Sequence, residues 1–191
     1  MILATSNLHK VREMRELLPG LELEPLPADY ESPVEDGESF EANALIKARA
    51  AHAALGGAVL ADDSGIESVD LDGAPGIYSA RYAGEGAGDE DNLDKLLREV
   101  DAADGGRRAA YVCVVALVDA DGTEHVFEAT CEGRLLRERR GSGGFGYDPI
   151  FVPDDTDDER TMSELTPAEK NAISHRGRAA RLAAAHLGLP G

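Results

Sequence analysis

Apolar and polar positions change period from segment to segment along this chain, and each change predicts an element. Ile2-Leu3-Ala4 is a short apolar run that predicts a buried strand, and Val11 to Leu18 spaces its apolar residues as a helix until Pro19-Gly20 stops it. Leu21 to Leu26 alternates as a half-exposed strand, and Pro27 to Gly37 is an acidic, Pro-containing loop. Ser39 then caps an Ala-rich helix ending at Gly56-Gly57. Phe40, Ala44, Ala48, Ala51 and Leu55 share its buried face, while Asn43 and Lys47, four apart, share another. Ala58-Val59-Leu60 predicts a buried strand that ends at Asp62-Asp63-Ser64-Gly65, and Ile66 to Leu71 a second, alternating strand that turns at Asp72-Gly73.

Farther on, Ala74 to Gly84 is a Gly-bounded loop carrying aromatics and an arginine, and a helix starts at Asp89 or Asp91 and runs through Val100 until Gly105-Gly106. Ala109 to Val118 is a nearly continuous apolar strand that pairs back, through a turn at Asp121-Gly122, with Glu124 to Cys131. Ile150-Phe151-Val152 predicts another strand. Thr166-Pro167-Ala168-Glu169 is a strong helix start, with a hydroxyl cap, proline at the first position and glutamate at the third. Ser174 is placed to cap a further helix running through Leu187. Strands alternating with helices predict an α/β fold, and 191 residues suffice for one domain with one core.

Composition narrows the partners. Thirty-seven acids against 19 bases give a net charge of -18, spread along the chain, which argues against binding to a nucleic-acid polymer because a duplex needs a basic face. Cys113 and Cys131 lie in strand-like segments with no metal-ligand spacing, as expected of a reduced intracellular protein without structural zinc. No apolar run approaches the roughly 20 residues of a membrane span, and a strand beginning at Met1 leaves no room for a signal peptide, so a soluble, cytoplasmic protein is expected.

Four stretches carry candidate chemistry. Asp62 and Asp63, adjacent at a strand end, repel each other, and either solvent or a divalent cation with hard oxygen ligands offsets that repulsion; locally, the same residues are also ordinary turn formers. Thr5-Ser6-Asn7-Leu8-His9-Lys10 lies between a strand and a helix, where free N–H groups make an anion site, although simple N-capping accounts for Thr5, Ser6 or Asn7 equally well. Lys10 in the first helical turn opposes the helix dipole unless an anion binds nearby. Gly141 to Pro149 sets Phe145, Tyr147 and Asp148 in a Gly-rich loop, suited either to holding a flat base or to a tight turn around a core ring. Lys170, His175 and Arg176 gather positive side chains at helix starts. Only four lysines occur in the chain; Lys10 and Lys170 fall within these stretches, and Lys47 stands with Asn43 on one face of its helix.

Together these stretches resemble the inosine triphosphate pyrophosphatase family. The matching pieces are Ala4 to Lys10, Phe40 to Ala44 with Lys47, Ala61 to Gly65, Gly73 to Tyr82, Gly143 to Phe151 and Leu165 to Gly177; they follow the family's order and cover essentially the whole chain. The resemblance implies an elongated, twisted mixed β-sheet flanked by helices, a single domain over 1–191 with two lobes and the active-site cleft between them, and usually a homodimer. It implies Mg²⁺-dependent hydrolysis of non-standard purine nucleoside triphosphates (ITP, dITP, XTP) to monophosphate and pyrophosphate. Residue by residue, Thr5 to Lys10 lie against the substrate, with Thr5, Asn7 and Lys10 on its phosphates and Lys47 nearby. Ser6 stands where the family pattern has glycine. Asp63 matches the general base and metal ligand, Asp62 and Glu35 carboxylates around the Mg²⁺, and Ser64 a neighbour of the substrate. Phe145 matches the residue stacking on the base, Gly146, Tyr147 and Asp148 the slot around it, and Lys170, His175 and Arg176 the groups that recognise base and phosphate.

Other readings of the same residues are a haloacid-type phosphatase, whose Asp-x-Asp spacing is absent at Asp62, a non-catalytic nucleotide sensor, and a pyrophosphatase acting on pyrimidine or methylated nucleotides.

Overall fold

A computed structural model describes residues 1–189. Eleven regular elements run along them: β1 (Ile2–Leu3), α1 (Leu8–Leu17), β2 (Glu24–Pro25), α2 (Phe40–Leu55), β3 (Val59–Ser68), α3 (Asp89–Ala103), β4 (Arg108–Val118), β5 (Glu124–Leu135), β6 (Phe151–Pro153), α4 (Pro167–Ile173) and α5 (His175–His186). The strands form one mixed sheet in the order β2-β1-β3-β4-β5-β6, with β1 parallel to both its neighbours and β6 antiparallel to β5. The α/β class and the mixed, helix-flanked sheet are as expected.

Caps explain most helix boundaries. Ser39 accepts the Ala42 N–H at 3.1 Å, and Gly56 ends α2 with a positive φ of 69°. Thr166 and Glu169 form a reciprocal capping box on α4, with Pro167 at its first position. Two expectations need correcting. The two strands predicted on either side of Asp62-Asp63-Ser64-Gly65 are one, because β3 runs unbroken from Val59 to Ser68. On α2, Leu55 is 38% exposed rather than part of the buried face, since it sits in the last turn as the chain leaves. Among the described residues no helix is long and apolar enough to cross a membrane.

The chain divides into two compact units. The first comprises residues 1–63, 113–129 and the chain from Arg176 onward; the second comprises residues 64–112 and 130–175. The first has a core in which Leu3, Leu60, Cys113, Val115 and Leu117 from the strands meet Val11 and Met14 of α1 and the alanine face of α5 (Ala179, Ala180, Ala183, Ala184). Small residues there let α5 lie close to its neighbours. In the second, Ile66, Leu93, Leu96, Val100, Tyr111, Leu135, Ile150 and Phe151 form the core, and the Tyr111 and Phe151 rings meet edge to face at 4.8 Å. Both cysteines are free and buried, and burial pushes the Cys113 thiol up to about 12.

Candidate functional site

In the first unit, β3 carries the two adjacent aspartates into opposite surroundings, because successive side chains on a strand point to opposite faces. Asp62, 1% exposed, receives Lys10 Nζ of α1 at 2.9 Å and Arg176 Nε of α5 at 3.4 Å, both on its Oδ2. Arg176, itself 2% exposed, also reaches Glu13 Oε2 at 2.5 Å. Burial opposes ionisation of Asp62, but the charges of Lys10, Arg176 and Lys47 outweigh it and hold its carboxyl well below the usual range. The Arg176 guanidinium is likewise held charged: burial disfavours it, and Asp62 and Glu13 more than compensate.

Asp63 faces α2 instead. Its Oδ1 accepts from Lys47 Nζ at 2.8 Å, and the same ammonium bonds Glu35 Oε2 at 2.7 Å. Burial raises the Asp63 pKa and Lys47 only partly offsets this, while burial of Lys47 is outweighed by Asp63, Asp62 and Glu35, which keep it protonated. The acidic loop that supplies Glu35 is anchored by α2 itself: Asn43, 1% exposed, accepts the Gly37 N–H at 2.9 Å.

The two aspartates thus have different direct partners. Glu35 and Asp63 converge on a single cation, Lys47, whereas Asp62 is neutralised on the other face by Lys10 and Arg176. Its remaining oxygen, Oδ1, is buried with no hydrogen-bond partner among the described residues.

At the start of α1, Asn7 caps the helix, its Oδ1 accepting from His9 N at 2.9 Å and Lys10 N at 3.3 Å, and Thr5 Oγ1 accepts the Asn7 N–H at 3.2 Å. The His9 and Lys10 N–H groups thus serve the cap. Ser6 is exposed, Leu8 is 68% exposed and His9 is exposed, so the three line the surface of this turn.

In the second unit, Asp148 is the organiser. Buried at 3% exposure, it accepts Lys170 Nζ at 2.7 Å and the Phe145 N–H at 2.9 Å on Oδ2, and the Tyr111 hydroxyl at 3.2 Å on Oδ1. Both its oxygens are engaged within the protein, so it positions Tyr111, Phe145 and Lys170. Gly144, at a φ of +70°, allows this: a Cβ there would collide with the Asp148 carboxylate. The Lys170 ammonium lies 4.9 Å from the centre of the Phe145 ring. Gly146 donates its N–H to Asp89 at 2.9 Å, and the buried Tyr147 gives its hydroxyl to Ser79 O at 2.7 Å, which makes its ring part of the frame; burial, then the charges of Tyr82 and Asp89, raise its pKa. His175, 5% exposed, stacks nearly parallel on Tyr111 with ring centres 4.5 Å apart. Ser64 opens this unit's part of β3 and is half-buried.

Two participants escaped the sequence reading. Tyr111 sits in an otherwise aliphatic strand run, and a lone phenol there is the one available signal. Glu13 lies within the Val11 to Leu18 helix run, three residues after Lys10, and its charge was given no role there.

Comparisons with known proteins bear on family and fold. A model of the Ham1 family matches residues 1–186. The chain is 46% identical to a dITP/XTP pyrophosphatase of Corynebacterium diphtheriae, covering 93% of this chain and 91% of that protein. It is 45% identical to one of Geobacter sulfurreducens, covering 100% and 98%. Among solved structures, a HAM1 protein from Coxiella burnetii superimposes with a TM-score of 0.88 at 42% identity, covering 98% of this chain and 97% of that one. The Staphylococcus aureus Ham1 protein gives 0.86 at 39% identity, with the same coverage.

Proposed function

The chain belongs to the Ham1 family, and on that footing we propose that it hydrolyses non-standard purine nucleoside triphosphates, those of inosine, deoxyinosine and xanthosine, to the monophosphate and pyrophosphate. The observation that carries the mechanism is Lys47 bridging Glu35 at 2.7 Å and Asp63 at 2.8 Å, with Asp63 held at a raised pKa.

Two hard carboxylate oxygens that already close on one cation suit Mg²⁺, and they are the residues that would hold it; Asp62, on the opposite face of β3, is not among them. Bound there, the ion would neutralise charge on the phosphates and favour a nucleophilic oxygen. Asp63 takes the proton of the attacking water. A raised pKa makes it a stronger base than an ordinary carboxylate. The water oxygen bonds to the α-phosphorus, the bond from that phosphorus to the bridging oxygen breaks, and pyrophosphate leaves with the electron pair. Lys47, displaced from its carboxylates, and Lys10 offset the departing charge. Arg176 keeps Asp62, and through it Lys10, in place. Thr5 to His9 form the turn against which the phosphates rest.

The base stacks on Phe145, on the face away from Lys170, within the loop framed by Gly146, Tyr147 and Asp148. Lys170 and His175 supply donors for a keto oxygen at the six-position; an amino group there, as in adenine, leaves buried donors unpaired and is rejected by a large ratio. The reading extends to one domain over 1–191, action in the cytoplasm on the nucleotide pool, and association of two copies, which light scattering at twice the chain mass would support.

The test is a panel of nucleoside triphosphates with Mg²⁺ and identified products. Inosine or xanthosine triphosphate should give pyrophosphate as the first product, and Asp63→Asn should lower kcat by at least about a hundredfold. Inorganic phosphate as first product, or undiminished turnover in the variant, would overturn the reading.

A further inference from the structure

A second group of metal-ligating side chains lies in the first unit, among residues the proposed reaction does not use. Asp119 follows the last residue of β4, His125 is the second residue of β5, and His186 is the last residue of α5. One ligating atom of each falls within 4.8 Å of those of the other two. His125 Nε2 lies 2.9 Å from Asp119 Oδ2, and the His125 and His186 rings are 4.1 Å apart, with Phe127 beside His186 at 5.4 Å.

Each of the three is held by its own backbone. The Asp119 N–H donates to Thr123 O at 2.8 Å and its carbonyl accepts the Gly122 N–H at 2.9 Å, closing the hairpin turn around it. His125 and Phe127 share a face of β5 because they are two apart, and Phe127 packs against the first unit's core. Beyond His186 the chain turns back on itself: the Leu187 N–H bonds Ala183 O at 3.0 Å and the Leu189 N–H bonds Ala184 O at 2.9 Å, and both leucines pack on the same core. The helix end carrying His186 is therefore fixed next to the hairpin.

We propose that Asp119, His125 and His186 form a binding site for a borderline divalent cation of the Zn²⁺ class. Two imidazoles and one carboxylate are that ion's preferred donors, whereas Mg²⁺ takes oxygen ligands, so the site differs in chemistry from the Glu35 and Asp63 pair. Zn–N and Zn–O bonds of about 2.0–2.1 Å place neighbouring ligand atoms about 3.3 Å apart. Rotation of the exposed His186 side chain closes the present spacing to that value. Three protein ligands leave a fourth position for water. The carbonyl end of α5 adds a partial negative charge next to the ion. The bound ion ties the β4–β5 hairpin to the last turn of α5.

The experiment uses the full, metal-stripped chain and Zn²⁺ alone, followed by isothermal titration and thermal melting, with Co²⁺ as a spectroscopic probe. One ion should bind per chain, Co²⁺ should show the visible absorption of a tetrahedral nitrogen and oxygen site, and the melting temperature should rise roughly 5–10 °C at a hundredfold excess over Kd. His186→Ala, at an exposed helix end, and His125→Gln should each weaken binding at least about tenfold. Hydrolysis measured with Mg²⁺ should be unchanged in His186→Ala. Zn²⁺ affinity equal in the wild type and both variants, no binding to the wild type, or binding lost in Asp63→Asn but kept in His186→Ala would each overturn the proposal.

Discussion

Replacing Asp62 by asparagine keeps the shape of the side chain and removes one buried charge. Lys10, with 13% of its side chain exposed, can turn toward water; Arg176, with 3%, cannot, and keeps its contact with Glu13. Breaking a buried ion pair from one side costs about 3–5 kcal/mol, and the surviving Glu13 contact puts the expected value near the lower end, about 3 kcal/mol. For a chain of this length that is a fall in melting temperature of about 6–12 °C. Asp62 has a folded pKa below its unfolded value, so its contribution is complete above the unfolded pKa and disappears as pH falls through the folded one. Scanning calorimetry of the two proteins should therefore show the full gap at about pH 7 and a gap that narrows from about pH 4 downward. A gap below about 1 °C at neutral pH, or one that persists unchanged in strong acid, would refute the electrostatic account of this residue.

For Asp63 the sign is opposite: its raised pKa predicts that kcat/KM for inosine triphosphate falls as pH drops through a value above the ordinary carboxylate range, and Lys47→Met should move that acid limb higher still. A limb at or below the ordinary range in a pH–rate profile would contradict this. Gly144→Ala forces a Cβ against the Asp148 carboxylate and should raise KM for the nucleotide at least about tenfold with a smaller effect on kcat, since it displaces Phe145 and Lys170 rather than Asp63. Thr166→Ala removes the hydroxyl of the α4 capping box and should cost about 1 kcal/mol in urea unfolding; no change would mean that Glu169 alone suffices there.

Local chemistry made the helices and their caps legible: Ser39, Thr166, Pro167 and the glycines after α2 act through bonds within a few residues. The site residues were found because their stretches resemble a family, and the structure gathers Glu35, Lys47 and Asp63 in one unit and Phe145, Asp148 and Lys170 in the other. What stayed hidden depended on distant partners. Polar Asp62 to Gly65 interrupt an apolar run and so imitate a turn, and only Arg176, 114 positions away, and Lys10 explain how an acid survives inside a strand. The partners of Asp148, Tyr111 and Lys170, and the bond of the Tyr147 hydroxyl to Ser79 likewise lie far off in sequence.

The alternation along β3 has an outcome for how this protein can vary. Consecutive carboxylates serve two purposes on opposite sides of one ribbon, one as a buried anchor and the other as a proton acceptor. A frame slip of a single residue in that ribbon would turn each onto the other's face, handing the depressed pKa to the would-be acceptor and leaving the anchor without its cations. Insertions and deletions between Val59 and Asp63 should thus be lethal to turnover even where the chain still folds, whereas the hairpin tip at 120–123 can change length without disturbing either acid.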